Sequence, residues 1–193
     1  RADALSVDLI PEAGFDREFY RQFARGALTG NLRPLRILSR DVRIYMQTRG
    51  LSAASVADLE RTARAIVPAM TGGRLAVATW ETGEDARARA DGWLTIALSD
   101  SVERPCGLTD IGAGVGSMDL NVAPKCHGVG RAAPPGLFAH ELGHALGFDH
   151  VAGTEHMMSV DGAWAASGPS ARERHHAAIA YARQSGNQDI DRD

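Results

Sequence analysis

Apolar residues recur every four positions at Phe15, Phe19 and Phe23, with Tyr20, Ala24 and Ala27 beside them. This predicts a helix over 16–28 with one buried face, closed by Gly30, Asn31 and Pro34. Val42, Ile44 and Met46 then alternate with Arg43 and Tyr45, as in a strand buried on one side, until Gly50 breaks the pattern. Val56, Leu59, Ala63, Ile66, Val67 and Met70 form one stripe at helical spacing. They predict a helix over 52–70, with Ser55 and Asp58 as a loose capping signal and Gly72 and Gly73 as its stop. Strands are expected at 75–80 and 93–98, on either side of a polar turn over 81–91. Another is expected around Met118, Leu120 and Val122 in the Gly-rich stretch 105–130. Pro134, Pro135 and Gly136 introduce a helix over 137–146, and a last helix runs over 170–183 between Pro169 and Gly186. That order predicts an α+β fold with a mostly consecutive sheet.

Length and composition narrow the class. A chain of 193 residues suits a single domain, 1–193, and can bury a core. With 44% hydrophobic and 23% charged residues it is globular, not disordered. No apolar run approaches a membrane span. The net charge of -3 gives no basic excess, so no nucleic-acid partner is expected. Lys125 is the only lysine, which reads as composition, not function. Gly112, Gly114 and Gly116 have the wrong spacing for a phosphate loop, and a strand pattern follows them. The two cysteines, Cys106 and Cys126, allow one disulfide and so favour an oxidising compartment. The numbered chain begins at Arg1 without a hydrophobic leader, which reads as a processed or a trimmed form; with the cysteine pair, the expected setting is exported, secreted or periplasmic.

The chemistry concentrates in His140-Glu141-Leu142-Gly143-His144-Ala145-Leu146-Gly147-Phe148-Asp149-His150. On a helix, residues four apart share a face, so His140 and His144 can offer two imidazoles to one ion. Glu141 sits one position on and can reach water at that ion without being a ligand. His150 lies six residues past His144 and cannot reach the ion from a continued helix. The chain must turn back, and Gly147 stands where a left-handed cap is needed. Three histidines beside a free carboxylate fit a catalytic zinc, whereas structural zinc sites are usually closed by four protein ligands.

This stretch resembles the metzincin metallopeptidases, whose His-Glu-x-x-His-x-x-Gly-x-x-His signature is matched at His140, Glu141, His144, Gly147 and His150. Glu155-His156-Met157-Met158-Ser159 resembles the family's methionine turn, with Met158 at matrixin-like spacing and Met157 as the alternative. The resemblance implies a zincin-like catalytic domain. Its N-terminal subdomain (37–150) would hold a twisted mixed sheet and two helices. A small C-terminal subdomain (151–193) would end in a helix, and 1–36 would be an N-terminal helical segment, with a pro-like role as the alternative. A bacterial-type, matrixin-like member is the best label. The chain departs from matrixins in carrying Val151 where they usually have Ser, and no cysteine precedes Cys106. Val160 stands where astacin-like enzymes place a tyrosine, and no Asp-rich calcium loop or His-x-Asp zinc signal is present.

The implied activity is that of a zinc metalloendopeptidase acting on a protein or peptide. Glu141 would activate metal-bound water and pass its proton to the leaving amine. The substrate would lie along an edge strand from within 105–122, braced by a Cys106–Cys126 bridge. Val160 and Trp164 are candidates for the specificity pocket. His156 is expected to be exposed on a loop, and His175 and His176 to be solvated. A monomer is the expected state. The alternatives are a zinc hydrolase using Glu155 or Glu173 as third ligand, a non-catalytic zinc-stabilised binding module, and a latent form with Asp8 or Asp16 over the metal.

Overall fold

The computed structural model describes residues 14–30, 32–112, 116–127, 135–160, 166 and 168–188. Helix α1 covers Arg17–Arg25, and the Asp16 carboxylate caps it by accepting the Phe19 N–H at 2.9 Å. It stops at Arg25, short of the predicted 28. Gly26 takes a left-handed φ of 72° and closes the helix, and a single 3-10 turn, Ala27–Thr29, follows. The apolar periodicity runs past this stop because a glycine cap overrides the pattern.

Strand β1 (Val42–Gln47) buries Val42, Ile44 and Met46 as its alternation predicts. Helix α2 (Ala53–Ala69) is capped by Ser52, whose hydroxyl accepts the Ser55 N–H, so Ser55 is the capped residue and not the cap. Strand β2 (Val77–Gly83) lies further along than the predicted 75–80. Its pairing with β1, out to Gln47 against Gly83, supplies backbone hydrogen bonds whatever the polarity of Glu81 and Thr82. Strands β3 (Trp93–Ser99), β4 (Gly107–Thr109) and β5 (Gly116–Asn121) follow, then the short α3 (Pro124–His127), α4 (Pro135–Ala145) and α5 (Ala171–Tyr181).

The fold is α+β. Its five-stranded sheet has the order β2-β1-β3-β5-β4, parallel except for β4, which runs antiparallel to β5. The expectation of a mostly consecutive sheet is thereby corrected. The α2 crossover lets β2 return parallel on one side of β1, and β3 takes the other side. Strand β4 is left as an edge. Helix α2 packs on α4, and α1 on α5. One core joins both halves, from Phe19 and Phe23 through Ile44, Met118 and Phe138 to Met158 and Ala177. No helix among the described residues is long and apolar enough to cross a membrane.

Two histidines expected in solvent are buried. His156 is 3% exposed, set edge-on against Phe19. His176 is fully buried, and only His175 is half-buried. The reason is α1, whose aromatic face needs partners and takes them from the 155–159 segment and from α5. His176 Nδ1–H donates to the Arg172 carbonyl at 2.7 Å, and Nε2 accepts the Asp16 N–H at 2.9 Å. Burial holds its pKa below the ordinary 6.5, ahead of the opposing Arg172 bond. The unfolded chain therefore takes up this proton first. The stability His176 contributes is present above about pH 6.5 and is lost as pH falls towards its lowered folded value. His176→Gln keeps a donor and an acceptor but does not titrate. Urea midpoints measured from pH 7.5 to 5 are expected to fall less steeply in this variant than in the wild type. Identical slopes would remove His176 from the acid response.

Candidate metal centre

Helix α4 carries His140, Glu141 and His144, all buried. Two bonds end it: Gly147 N–H donates to the His144 carbonyl at 2.8 Å and Phe148 N–H to the Gly143 carbonyl at 3.1 Å. With Gly147 at φ 106° this is a Schellman-type stop. A side chain at 147 would also run into the Arg36 carbonyl, so the glycine is required twice over. The chain reverses and returns His150 to the other two histidines, as the spacing predicts.

The three rings meet through Nε2. His150 Nε2 lies 3.1 Å from that of His140 and 3.2 Å from that of His144. The other ring nitrogens are fixed. His140 Nδ1–H donates to the Met157 carbonyl and His144 Nδ1–H to the Phe148 carbonyl, each at 2.7 Å. Both imidazoles therefore turn bare Nε2 lone pairs inward, and one ring proton on His150 can satisfy only one of them. A cation satisfies all three. Tetrahedral bonds of about 2.05 Å place ligand nitrogens about 3.3 Å apart, close to the spacing observed. Burial pushes all three histidines below their usual pKa, His144 to about 3, so they remain neutral donors. The group can hold a metal ion.

Glu141 stands beside this group without joining it. The Thr109 hydroxyl donates to its Oε2 at 2.6 Å, and a Cβ at Gly107 would overlap its Oε1. Burial raises the carboxyl to about 7, against the Thr109 bond that lowers it. Edge strand β4 thus grips the carboxylate with a hydroxyl on one oxygen and a missing side chain at the other. Neither Thr109 nor Gly107 stands out in the sequence.

The floor is built from the 155–159 turn. Met157 and Met158 are both fully buried, and a side chain at Gly143 would strike the Met158 sulfur. Met158 packs under the helix while Met157 holds His140 through its carbonyl. The turn is itself held by Glu173, which is fully buried. Its carboxylate accepts the Met157 N–H at 3.1 Å, the Met158 N–H at 2.8 Å and the Ser170 N–H at 2.6 Å. Sequence reasoning weighed Glu173 only as a ligand. The Ser170-x-x-Glu173 capping box, present in the structure, was its legible signal. Glu155 is exposed and bonds locally with His156 and Thr154, so neither glutamate reaches the histidines. Asp16 caps α1 and pairs with Arg172, away from the site, and Asp8 lies outside the described residues.

A cleft of about 450 Å³ opens over Glu141, His144 and His150, with Gly107, Leu108 and Thr109 of β4 on one side and Thr29 and Arg33 also lining it. Its rim is tied down by the Cys106–Cys126 disulfide, Cα–Cα 5.3 Å. Lys125 has a structural part after all. Its ammonium donates to the Val102 and Arg104 carbonyls, each at 2.6 Å, and Asn121 Nδ2 reaches the Ser101 carbonyl at 2.7 Å. These bonds pin the loop entering β4. Val160 is 56% exposed and is not among the cleft's lining residues, and Trp164 lies outside the described residues. No family model matches the chain, and no curated protein matches it.

The convergence of His150 carries an expected outcome. His150→Ala is expected to lower metal occupancy as far as His140→Ala or His144→Ala does, because each supplies one of three inward lone pairs. Metal analysis of the three purified variants checks this. Full occupancy in His150→Ala would show that the α4 pair suffices alone.

Proposed function

We propose that this chain is a zinc-dependent endopeptidase of the metzincin class, closest to its matrixin-like members. The observation that carries the proposal is the convergence of three neutral Nε2 atoms beside a buried, non-ligating carboxylate, at the floor of an open cleft bordered by a sheet edge. His140, His144 and His150 would hold the ion. Bound zinc supplies Lewis acidity for a peptide carbonyl and for water.

The chain's own residues do the rest. A peptide lying along β4 adds backbone hydrogen bonds to the sheet edge and brings its scissile bond over Glu141. Thr109 keeps Oε2 occupied, which leaves Oε1 to accept a proton from the attacking water and deliver it to the amine nitrogen as the C–N bond breaks. A carboxyl whose burial raises it towards neutrality suits both halves of that transfer. The binding-module alternative gives no reason for a buried base at this place, and Asp16, one of the two candidates for latency, is engaged instead in capping α1 and pairing with Arg172. The disulfide supports an oxidising, exported setting.

The test is metal analysis of protein purified without added metal, followed by a broad peptide library. Zinc is expected at one ion per chain, with cleavage blocked by a chelator and restored by zinc. A zinc-loaded protein that cleaves no member of the library sinks the proposal.

A further inference from the structure

We propose that Arg33 forms a carboxylate-binding subsite of the cleft, so that its ligand carries an acidic side chain or a free C-terminal carboxylate within a few residues of the metal-bound group. Calling that ligand a substrate rests on the peptidase reading. The subsite itself rests on how Arg33 is built in.

Arg33 lines the same cleft as Glu141, His144 and His150. Its backbone is held by the end of α1: Arg33 N–H donates to the Arg25 carbonyl at 2.8 Å, and the Arg25 guanidinium donates to the Arg33 carbonyl. Its guanidinium is held in turn, with Nη2 paired to Asp149. Asp149 is fixed through its own N–H, which donates to the Phe23 carbonyl at 2.7 Å. Gly26 leaves room for the pair. A Cβ there would stand 3.0 Å from Arg33 Nε and Nη2 and 3.2 Å from Asp149 Oδ2.

The result is a guanidinium oriented before any ligand arrives. Asp149 takes one of the five N–H donors that an arginine offers in its fixed fork, and no described residue takes the others. The side chain remains 27% exposed in the cleft. The fork matches a carboxylate in paired geometry, which a lysine does not. Charge points the same way. A divalent ion on three neutral histidines balances Asp149 and Glu141, and Arg33 then leaves the loaded cleft with one positive charge on a chain of net charge -3. An extended residue spans about 3.3 Å, so a cleft of this size puts Arg33 within a few residues of the ion.

The test uses short peptide hydroxamates, which anchor to the metal without being cleaved, on the zinc-loaded protein. The series carries Glu or Gln at each of the first three residues from the hydroxamate. Each member is made with a free and with an amidated far terminus. Binding is read by displacement of a fluorescent hydroxamate. In one register the carboxylate ligand is expected to bind about 10–100-fold tighter than its neutral partner, as for a charge-assisted pair. If the gain follows Glu, the source is a side chain; if it follows the free terminus, it is a chain end. Arg33→Gln is expected to erase the gain, so that acidic and neutral partners bind the variant alike. Equal binding of acidic and neutral ligands to the wild type overturns the subsite even if Arg33→Gln does not fold. An acidic gain that survives in folded Arg33→Gln overturns it too, and leaves the ion pair as a latch between α1 and the metal loop. Because hydroxamates need no hydrolysis, failure to cleave peptides leaves this measurement intact.

Discussion

Glu141→Gln is expected to load zinc as the wild type does and to lose peptide hydrolysis by about 10²–10⁴-fold. The two consequences separate because the metal group is made of the three histidines alone, with Glu141 beside it. Glutamine keeps the size of the side chain and an oxygen for the Thr109 hydroxyl. It removes the atom that accepts the proton. Zinc content, urea midpoint and the rate on a cleaved library peptide are measured together. Wild-type rates in a zinc-loaded variant would remove Glu141 from the reaction, and loss of zinc would make it a ligand. Thr109→Val, which deletes the hydroxyl but keeps the shape, is expected to lie between, with a lower turnover and an unchanged zinc content.

Glu173→Ala is expected to destabilise the fold by at least about 2 kcal/mol, since each buried donor left without a partner costs about 1–3 kcal/mol. The two buried donors are the N–H groups of Met157 and Met158, and the half-buried Ser170 N–H loses its partner as well. The same change should loosen the Met157 carbonyl that orients His140. Groups behind metal ligands are commonly worth about 10–100-fold in affinity, and a loss in that range is expected for zinc. Urea unfolding and competition with a chelating dye read the two effects. A destabilised variant with wild-type zinc affinity would confine Glu173 to the fold. Glu173→Gln offers one oxygen and one amide N–H₂ to these donors, so part of both losses should remain.

Legibility followed the range over which each constraint acts. The helix over His140 and His144, the turn at Gly147 and the return of His150 were readable because a helix period and a glycine cap are local. The buried face of β1 was readable for the same reason, as a strict alternation at Val42, Ile44 and Met46. The shift of β2 to Val77–Gly83 was not, because its length is set by the neighbouring strand. His156 and His176 were misplaced in solvent because the aromatic face that buries them comes from more than a hundred residues away in sequence, as the 160-residue span of the Asp16–His176 bond shows.

Which residues can hold an ion, and which carboxylate stands next to them, follows from spacing along one helix and one turn. What surrounds them follows from contacts between segments distant in the chain. Thr109 and Gly107 meet Glu141 from a strand about thirty residues earlier, as the 32-residue span of the Thr109–Glu141 bond shows. Arg33 reaches Asp149 across a span of 116 residues, and Glu173 reaches Met158 across 15. Side chains that orient a site need only the right end-point in space. Their sequence distance is set by the path of the chain through the sheet and helices, and no periodicity records it.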